Sequence, residues 1–399
     1  MGVGRYIEKD CIVCGSRDHK EIYSSKQPAG DILGELIVTL HVCTNCGFVW
    51  QNPQLSKEVL AEYYTNDVNA SGSVFHASHA NSRHIRKQKD RIAFFKPFLQ
   101  RTSPNGTMVE IGCSTGEFLS ALDLPEWDKH GIEPSATAAA IANAAGIKIL
   151  QQSIDNIELK ASEFDAVAAF SVIEHLSDLP EIMAEISKTL KPGGLLLFEI
   201  PDSLKAQPQL AEFFGYEHLW HFTATSIAEF LSKYGLNIIT FDETVADPRL
   251  RAVAVKDVSR NDLGMLGVTG DFPLLQEVIQ KYQERRITLI KDIGDKIDEF
   301  LQDLSPQDNF AIYGAGIHTR HLFEHFHDLL NALYVIDSNA KRWGGTICGI
   351  PIISVENATE IEKRVRKVII SSNAFESEIF DSLVSLGKAH DFDILKLYS

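Results

Sequence analysis

No stretch of this 399-residue chain approaches the ~20 consecutive apolar residues that a membrane-spanning helix needs, so no membrane partner is expected. Met1–Asp10 lacks the apolar core of a secretion signal, which predicts a cytoplasmic location. Positive charge is scarce: Lys plus Arg number 38 against 54 Asp plus Glu, a net charge of −16. No basic stripe offsets that field, and it repels phosphate backbones, so no nucleic-acid partner is expected. Cysteine is sparse too, and six in a chain this long make no disulfide scaffold. With 44% hydrophobic and 23% charged residues, wholesale disorder, collagen-like structure and a coiled-coil rod are all excluded. The length predicts two or three domains with sizeable cores.

Four of the cysteines form two matched pairs, Cys11-Ile12-Val13-Cys14 and Cys43-Thr44-Asn45-Cys46, each followed by a glycine, Gly15 or Gly47. Thiolates at this spacing, with a glycine to close the turn, make knuckles around a tetrahedral ion. Zinc bound by Cys11, Cys14, Cys43 and Cys46 would have no open position, so it is read as structural; the alternative is four reduced thiols in a small core. Residues 1–56 are therefore expected to form a zinc-binding domain too small to fold on its own core.

Residues 57–85 are polar and histidine-bearing, with no apolar period, and read as a lid or a linker. Residues 86–257 alternate strand and helix, starting from a helix at Arg86–Leu99 and a strand at Met108–Ile111, which predicts a parallel sheet covered on both faces. Residues 258–305 hold amphipathic connecting helices over Phe272–Leu304. Residues 306–399 repeat the strand–glycine–helix plan, with Gly314-Ala315-Gly316 after one strand and Asp337 ending the next. That turn lacks a third glycine, so a structural role is favoured over ligand binding. His321 and His325 are spaced as metal ligands on a helix, but no third ligand accompanies them, and packing histidines are favoured.

The central block carries Glu110-Ile111-Gly112-Cys113-Ser114-Thr115-Gly116 between a strand and a helix. Gly112 and Gly116 permit a sharp bend and close approach of a ligand to the main chain. The spacing is neither the dinucleotide fingerprint nor a P-loop. Glu110 beside the loop would repel a pyrophosphate and welcome a cationic amino-acid moiety. Glu133, followed by Pro134 at the end of the second strand, stands where a carboxylate accepts ribose hydroxyls.

These residues resemble the class I S-adenosylmethionine-dependent methyltransferases. The likeness continues through Phe164-Asp165-Ala166-Val167, Phe170-Ser171-Val172-Ile173-Glu174-His175-Leu176 and Leu190-Lys191-Pro192-Gly193-Gly194. It implies an α/β architecture: a central seven-stranded Rossmann-like methyltransferase domain, flanked by the small zinc-binding domain and a C-terminal Rossmann-like α/β domain. It also implies S-adenosyl-L-methionine as cofactor. Glu110, Gly112, Cys113 and Gly116 would shape the methionine pocket, Glu133 with Pro134 the ribose site, and Ser153 and Ile154 the adenine contact. Ser171 and His175 would lie near the sulfonium.

The order of the three blocks is similar to that of the sugar C-methyltransferases, which methylate a nucleotide-linked keto-deoxysugar. Tyr216-Glu217-His218-Leu219-Trp220-His221-Phe222 matches the family's Glu-His run, and Arg249-Leu250-Arg251 its Ser-Leu-Arg run. The resemblance implies His218 as the base that enolises the acceptor, Glu217 as its electrostatic partner and His175 as a polar group facing the donor, with His221 the rival base. The same histidines could instead cap the helix that starts near Thr225. The family's tyrosine-bearing run is replaced here by Asp67–Ser73, and Tyr63 and Tyr64 stand upstream of it. A nucleotide sugar is the expected acceptor, in a monomer or homodimer. The rivals are an O- or N-methyltransferase on a glycan or small metabolite, and a non-catalytic ligand-binding partner protein.

Overall fold

The computed structural model describes residues 5–29, 33–71, 82–151, 159–210, 212–245, 248–257, 271–305, 307–360, 365–372, 375–385 and 393–398. They fall into two compact units, residues 1–207 with 214–279, and residues 208–213 with 280–399.

The first unit opens with strands β1 (Tyr6–Ile7), β2 (His19–Pro28), β3 (Glu35–Cys43), β4 (Val49–Gln51) and β5 (Gln54–Leu55). β3 alternates exposed and buried positions, as a strand with one wet face must. Helices α1 (Lys57–Ser71) and α2 (Ser82–Thr102) follow, so the polar stretch read as lid or linker carries a helix over its first half. Its polar sequence hid it, because the segment is only weakly amphipathic. α2 buries Arg91, Phe95 and Leu99, one helical turn apart.

Then come β6 (Thr107–Ile111), α3 (Glu117–Ala121), β7 (Asp128–Ile132), α4 (Ala136–Ala144), β8 (Lys148–Gln151), β9 (Phe164–Phe170), α5 (Leu179–Thr189) and β10 (Leu190–Pro201). After these, β11 (Trp220–His221), α6 (Ala224–Ser232), β12 (Leu236–Phe241), β13 (Arg249–Lys256) and α7 (Phe272–Leu301) complete the succession into the second unit. The main sheet has seven strands in the order β12-β13-β10-β9-β6-β7-β8. β10, β9, β6, β7 and β8 pair in parallel, and β13 runs antiparallel to both of its neighbours. The order reverses between β6 and β9, and α/β sheets bind ligands at that crevice beyond the strands' carboxyl ends.

Strand β11 pairs with β4, Trp220 opposite Trp50, so the N-terminal sheet is completed by a strand from beyond the central one. Cys11, Cys43, Cys46, Phe48 and Trp50 share a continuous core with Ile111, Ile173, Trp220 and Phe230. The cysteine block is thus packed into the same body as the main sheet.

The second unit contains β14 (Asn309–Tyr313), α8 (Ile317–His325), β15 (Val335–Ile336), β16 (Thr346–Ile347), β17 (Ile350–Ile353), α9 (Val355–Glu360), β18 (Val365–Ile370), α10 (Glu376–Ser385) and β19 (Asp393–Lys396). Its sheet order is β16-β17-β15-β14-β18-β19, parallel except for β16. Ile293 and Ile297 of α7 enter its core. His321 pairs with Glu324 at 2.8 Å and His325 with the Leu210 carbonyl at 3.2 Å, so the two do not converge as ligands.

Candidate active site

β6 ends at Ile111 and the chain turns through Gly112 (φ 67°) and Ser114 (φ 49°) to Gly116 (φ 75°), which starts α3. A Cβ at Gly112 would meet Val172 Cγ2 at 2.6 Å, so the turn is pressed against the segment that follows β9. Gly112→Ala is expected to cost about 1–2 kcal/mol for the left-handed backbone alone. The collision with Val172 adds to that, and thermal unfolding and calorimetric donor titration should both record the loss.

Glu133 is buried, and its two oxygens accept the Ser114 and Ser135 N–H groups, each at 2.8 Å. Burial raises its pKa against these two bonds. Each oxygen keeps a second lone pair, which suits the paired hydroxyls of a ribose. Pro134 is half-buried beside it. Glu110 is buried, its Oε2 has no hydrogen-bond partner among the described residues, and burial pushes its pKa up to about 8 while Arg91 pulls the other way. An orphaned acid at the loop fits an ammonium group. Cys113 packs against Gly131, and burial raises its thiol. Ser171 (φ 56°) donates its N–H to the Glu199 carbonyl at 2.8 Å. Ser153 and Ile154 lie outside the described residues.

Beyond β9, a single turn of 3₁₀ helix (Ile173–His175) places Glu174 and His175. The Leu219 N–H donates to the Glu174 carbonyl at 2.8 Å, and His175 Nδ1 lies 2.8 Å from the Glu217 carbonyl. These two bonds stitch Glu217–His218 to the turn. The His175 and His218 rings meet edge to face with centroids 5.0 Å apart. Tyr64 OH lies 3.1 Å from His175 Nδ1, while Tyr63 OH donates to Glu217 Oε1 and lies 3.1 Å from Tyr216 OH. Burial, with His218 nearby, holds His175 neutral at a pKa of about 3, and burial raises Glu174 to about 8.

In the cysteine block, the Gly15 N–H donates to the Cys11 carbonyl at 2.8 Å and the Gly47 N–H to the Cys43 carbonyl at 2.9 Å. The two knuckles therefore share one geometry. The sulfurs of Cys11 and Cys46, and of Cys14 and Cys43, are 3.5 Å apart, and all four lie within 4.8 Å of one another. Zinc–sulfur bonds of about 2.3 Å in a tetrahedron put sulfurs about 3.8 Å apart, so the donor set is compatible with zinc. Without a cation the thiols cannot all ionise: the bond between Cys11 and Cys46 lowers Cys11 to about 6 and raises its partner.

A family model described as a methyltransferase domain matches residues 81–240, the stretch that holds the glycine turn, Glu133 and the Glu174-His175 turn. The central domain belongs to the class I S-adenosylmethionine-dependent methyltransferases. C-methyltransferase NovU of Streptomyces niveus is 23% identical over 252 residues, covering 58% of this chain and 56% of that protein. A trans-aconitate 2-methyltransferase of Deinococcus radiodurans is 29% identical over 100 residues, covering 25% of this chain and 39% of that protein. The chain thus matches about half the length of these relatives, or less. A solved S-adenosylmethionine-dependent methyltransferase of Thermotoga maritima covers 50% of this chain and 100% of its own, with 20% identity and a TM-score of 0.36.

Within this methyltransferase domain the His175 and His218 rings and the Glu217 backbone carbonyl lie together. His221 is buried on β11, edge-on to Phe214 at 5.1 Å, and burial, with His218 nearby, lowers its pKa to about 3. A ring held neutral inside the core is placed to pack rather than to meet an acceptor. No histidine caps α6, because Thr223 does so in a capping box with Ser226. Sequence reasoning set aside Tyr63 and Tyr64, which α1 delivers to the site, and gave no role to Glu174. The signal for Glu174 was a carboxylate directly before His175 at a strand's carboxyl end. The second unit repeats the acid geometry: Asp337 accepts the Ala315 and Asn339 N–H groups, each at 2.7 Å, but it also faces Arg342 at 3.5 Å. His318 there bridges Ser371 Oγ at 2.9 Å and Tyr398 OH at 2.6 Å, tying the glycine turn to β18 and the end of the chain.

Glu133→Gln should leave one amide N–H group facing a backbone N–H and remove one charge-assisted bond to the ribose. At about 2 kcal/mol for such a bond, donor affinity should fall roughly 30-fold in calorimetric titration.

Proposed function

We propose that this chain transfers a methyl group from S-adenosylmethionine to a carbon of a nucleotide-linked keto-deoxysugar. The observation that carries the reading is the convergence of Tyr63, Tyr64, His175, Glu217 and His218 beside the donor turn, from three separate chain segments. A relative named as a C-methyltransferase supports it. Glu110, Gly112, Gly116 and Glu133 would hold the donor, which when bound supplies a methyl group already activated by its sulfonium. The C–H beside a ketone is weakly acidic, so carbon attack needs a base. His218 takes that proton, and Glu217, oriented by Tyr63, favours the charged imidazole. Neutral His175 has no charge to repel the sulfonium. Cys11, Cys14, Cys43 and Cys46 would hold a structural zinc ion that fixes the block against the core.

The test is mass spectrometry of methyl transfer to a panel of nucleotide-linked keto-sugars. Incubation in heavy water separates this reading from O- or N-methylation of a glycan or small metabolite. Deuterium uptake beside the ketone is expected, and its absence alongside methyl transfer would move the reaction to oxygen or nitrogen. Donor turnover of any kind excludes a purely binding role.

A further inference from the structure

We infer that Glu174, His175 and His218 form a second metal site, which holds a divalent transition-metal ion in the acceptor pocket and presents it to neighbouring oxygens of the acceptor. Each residue offers one ligand atom, and the three atoms lie within 4.8 Å of one another. Glu174 Oε1 is 3.7 Å from His175 Nε2. That is too long for a hydrogen bond, but it is a distance two ligands of one ion can adopt. The tautomer fits as well. His175 Nδ1 faces the Glu217 carbonyl at 2.8 Å and must donate to it, so Nε2 turns a lone pair toward the carboxylate. A ring N–H given to a backbone carbonyl is how metal-binding histidines are oriented.

A second observation points to the same cation. Glu174 is 1% exposed, and its Oε2 has no hydrogen-bond partner among the described residues. A ring lone pair facing a carboxyl group whose other oxygen is orphaned is a donor arrangement that a cation satisfies. The site is also rigid before anything binds, because the Leu219-to-Glu174 and His175-to-Glu217 bonds fix both segments. Two imidazoles and one carboxylate suit manganese, iron, cobalt, nickel or zinc better than magnesium or calcium. Three protein ligands leave positions open for a carbonyl and an adjacent hydroxyl. No sulfur ligand is involved, so this site is chemically separate from the four cysteines.

The use of the ion in catalysis rests on the C-methylation reading; the site itself does not. In the ion-free protein His218 is the base, as proposed above; with the ion bound its ring nitrogen is a ligand, and the C–H proton passes to the Glu217 carboxylate instead. The C–H bond breaks, and its electron pair moves onto the carbonyl oxygen at the ion. The enolate carbon then attacks the methyl group; the new carbon–carbon bond forms as the sulfur–methyl bond breaks, its electron pair staying on sulfur, and S-adenosylhomocysteine leaves.

The test is titration of full-length protein, dialysed against chelator-free, metal-free buffer so that the cysteine-bound zinc stays in place, with manganese(II), followed by loss of the free-ion electron paramagnetic resonance signal. Thiolate sites do not compete for this ion. One ion per chain is expected to bind. His218→Ala and Glu174→Gln should each weaken it at least about tenfold while donor affinity stays unchanged. The proposal is overturned if donor-competent protein binds no manganese, cobalt or nickel, or if binding survives in both variants. Metal binding without methylation of any keto-sugar would sink C-methylation alone. Undiminished methylation before manganese is added would sink only the metal's catalytic use.

Discussion

Cys11→Ser should lower the melting temperature of the full chain by about 10 °C or more and abolish stoichiometric zinc binding. Structural zinc contributes about 10–16 kcal/mol in isolated zinc-finger peptides, as much as the whole stability of a typical domain. Losing one of four thiolates forfeits a part of that, of the order of 4 kcal/mol, and each 1 kcal/mol shifts the melting temperature of a domain this size by about 2–4 °C. The effect should not stay local. Cys11 and Cys46 are buried with Phe48 and Trp50, and that aromatic group continues through Trp220 and Phe222 to the helix α6 side chain Phe230. Loosening the knuckles therefore exposes core that the main sheet shares. Calorimetry together with metal analysis by mass spectrometry checks it; a serine variant that melts normally without zinc would reduce the four thiols to packing.

His218→Ala should lower methyl transfer by about 10²–10⁴-fold, the range for loss of a general base. The reduction is expected in turnover, with donor affinity within about twofold of the parent. The reason is positional: in the proposed reading Gly112, Gly116 and Glu133 would hold the donor, whereas His218 packs edge-on to His175. Single-turnover mass spectrometry and calorimetric titration separate the two quantities. Parallel loss of donor binding would recast His218 as a support for the 3₁₀ turn rather than a group that meets the acceptor.

The donor half was readable because its logic is local. A glycine turn leaving a strand, and an acid ending the next strand, are consequences of backbone geometry over about two dozen residues. In the structure Gly112 and Gly116 have positive φ and Glu133 is bonded to the turn. The cysteine knuckles are local in the same sense, since each closes on its own glycine within five residues.

The acceptor half is not local, and there the reading was incomplete. Tyr63 reaches Glu217 across 154 positions and Tyr64 reaches His175 across 111. Nothing in the weakly amphipathic segment around them announces that a helix carries them there. Glu174 stood in a recognised motif, yet its meaning depends on a backbone bond from Leu219 and on the depth at which it is buried. His221 looked equivalent to His218 three residues away. Strand pairing with Val49 sends it into the core instead, against Phe214.

Residue order alone carried the strand–turn–helix succession, the donor loop and the two thiol pairs, because each follows from propensities and spacing along a short piece of chain. Which histidine lies beside the Glu174-His175 turn, which acid is left unsatisfied and which tyrosines flank them came from folding. Those properties arise when segments more than a hundred residues apart exclude water from one another, and no short window of sequence contains that information.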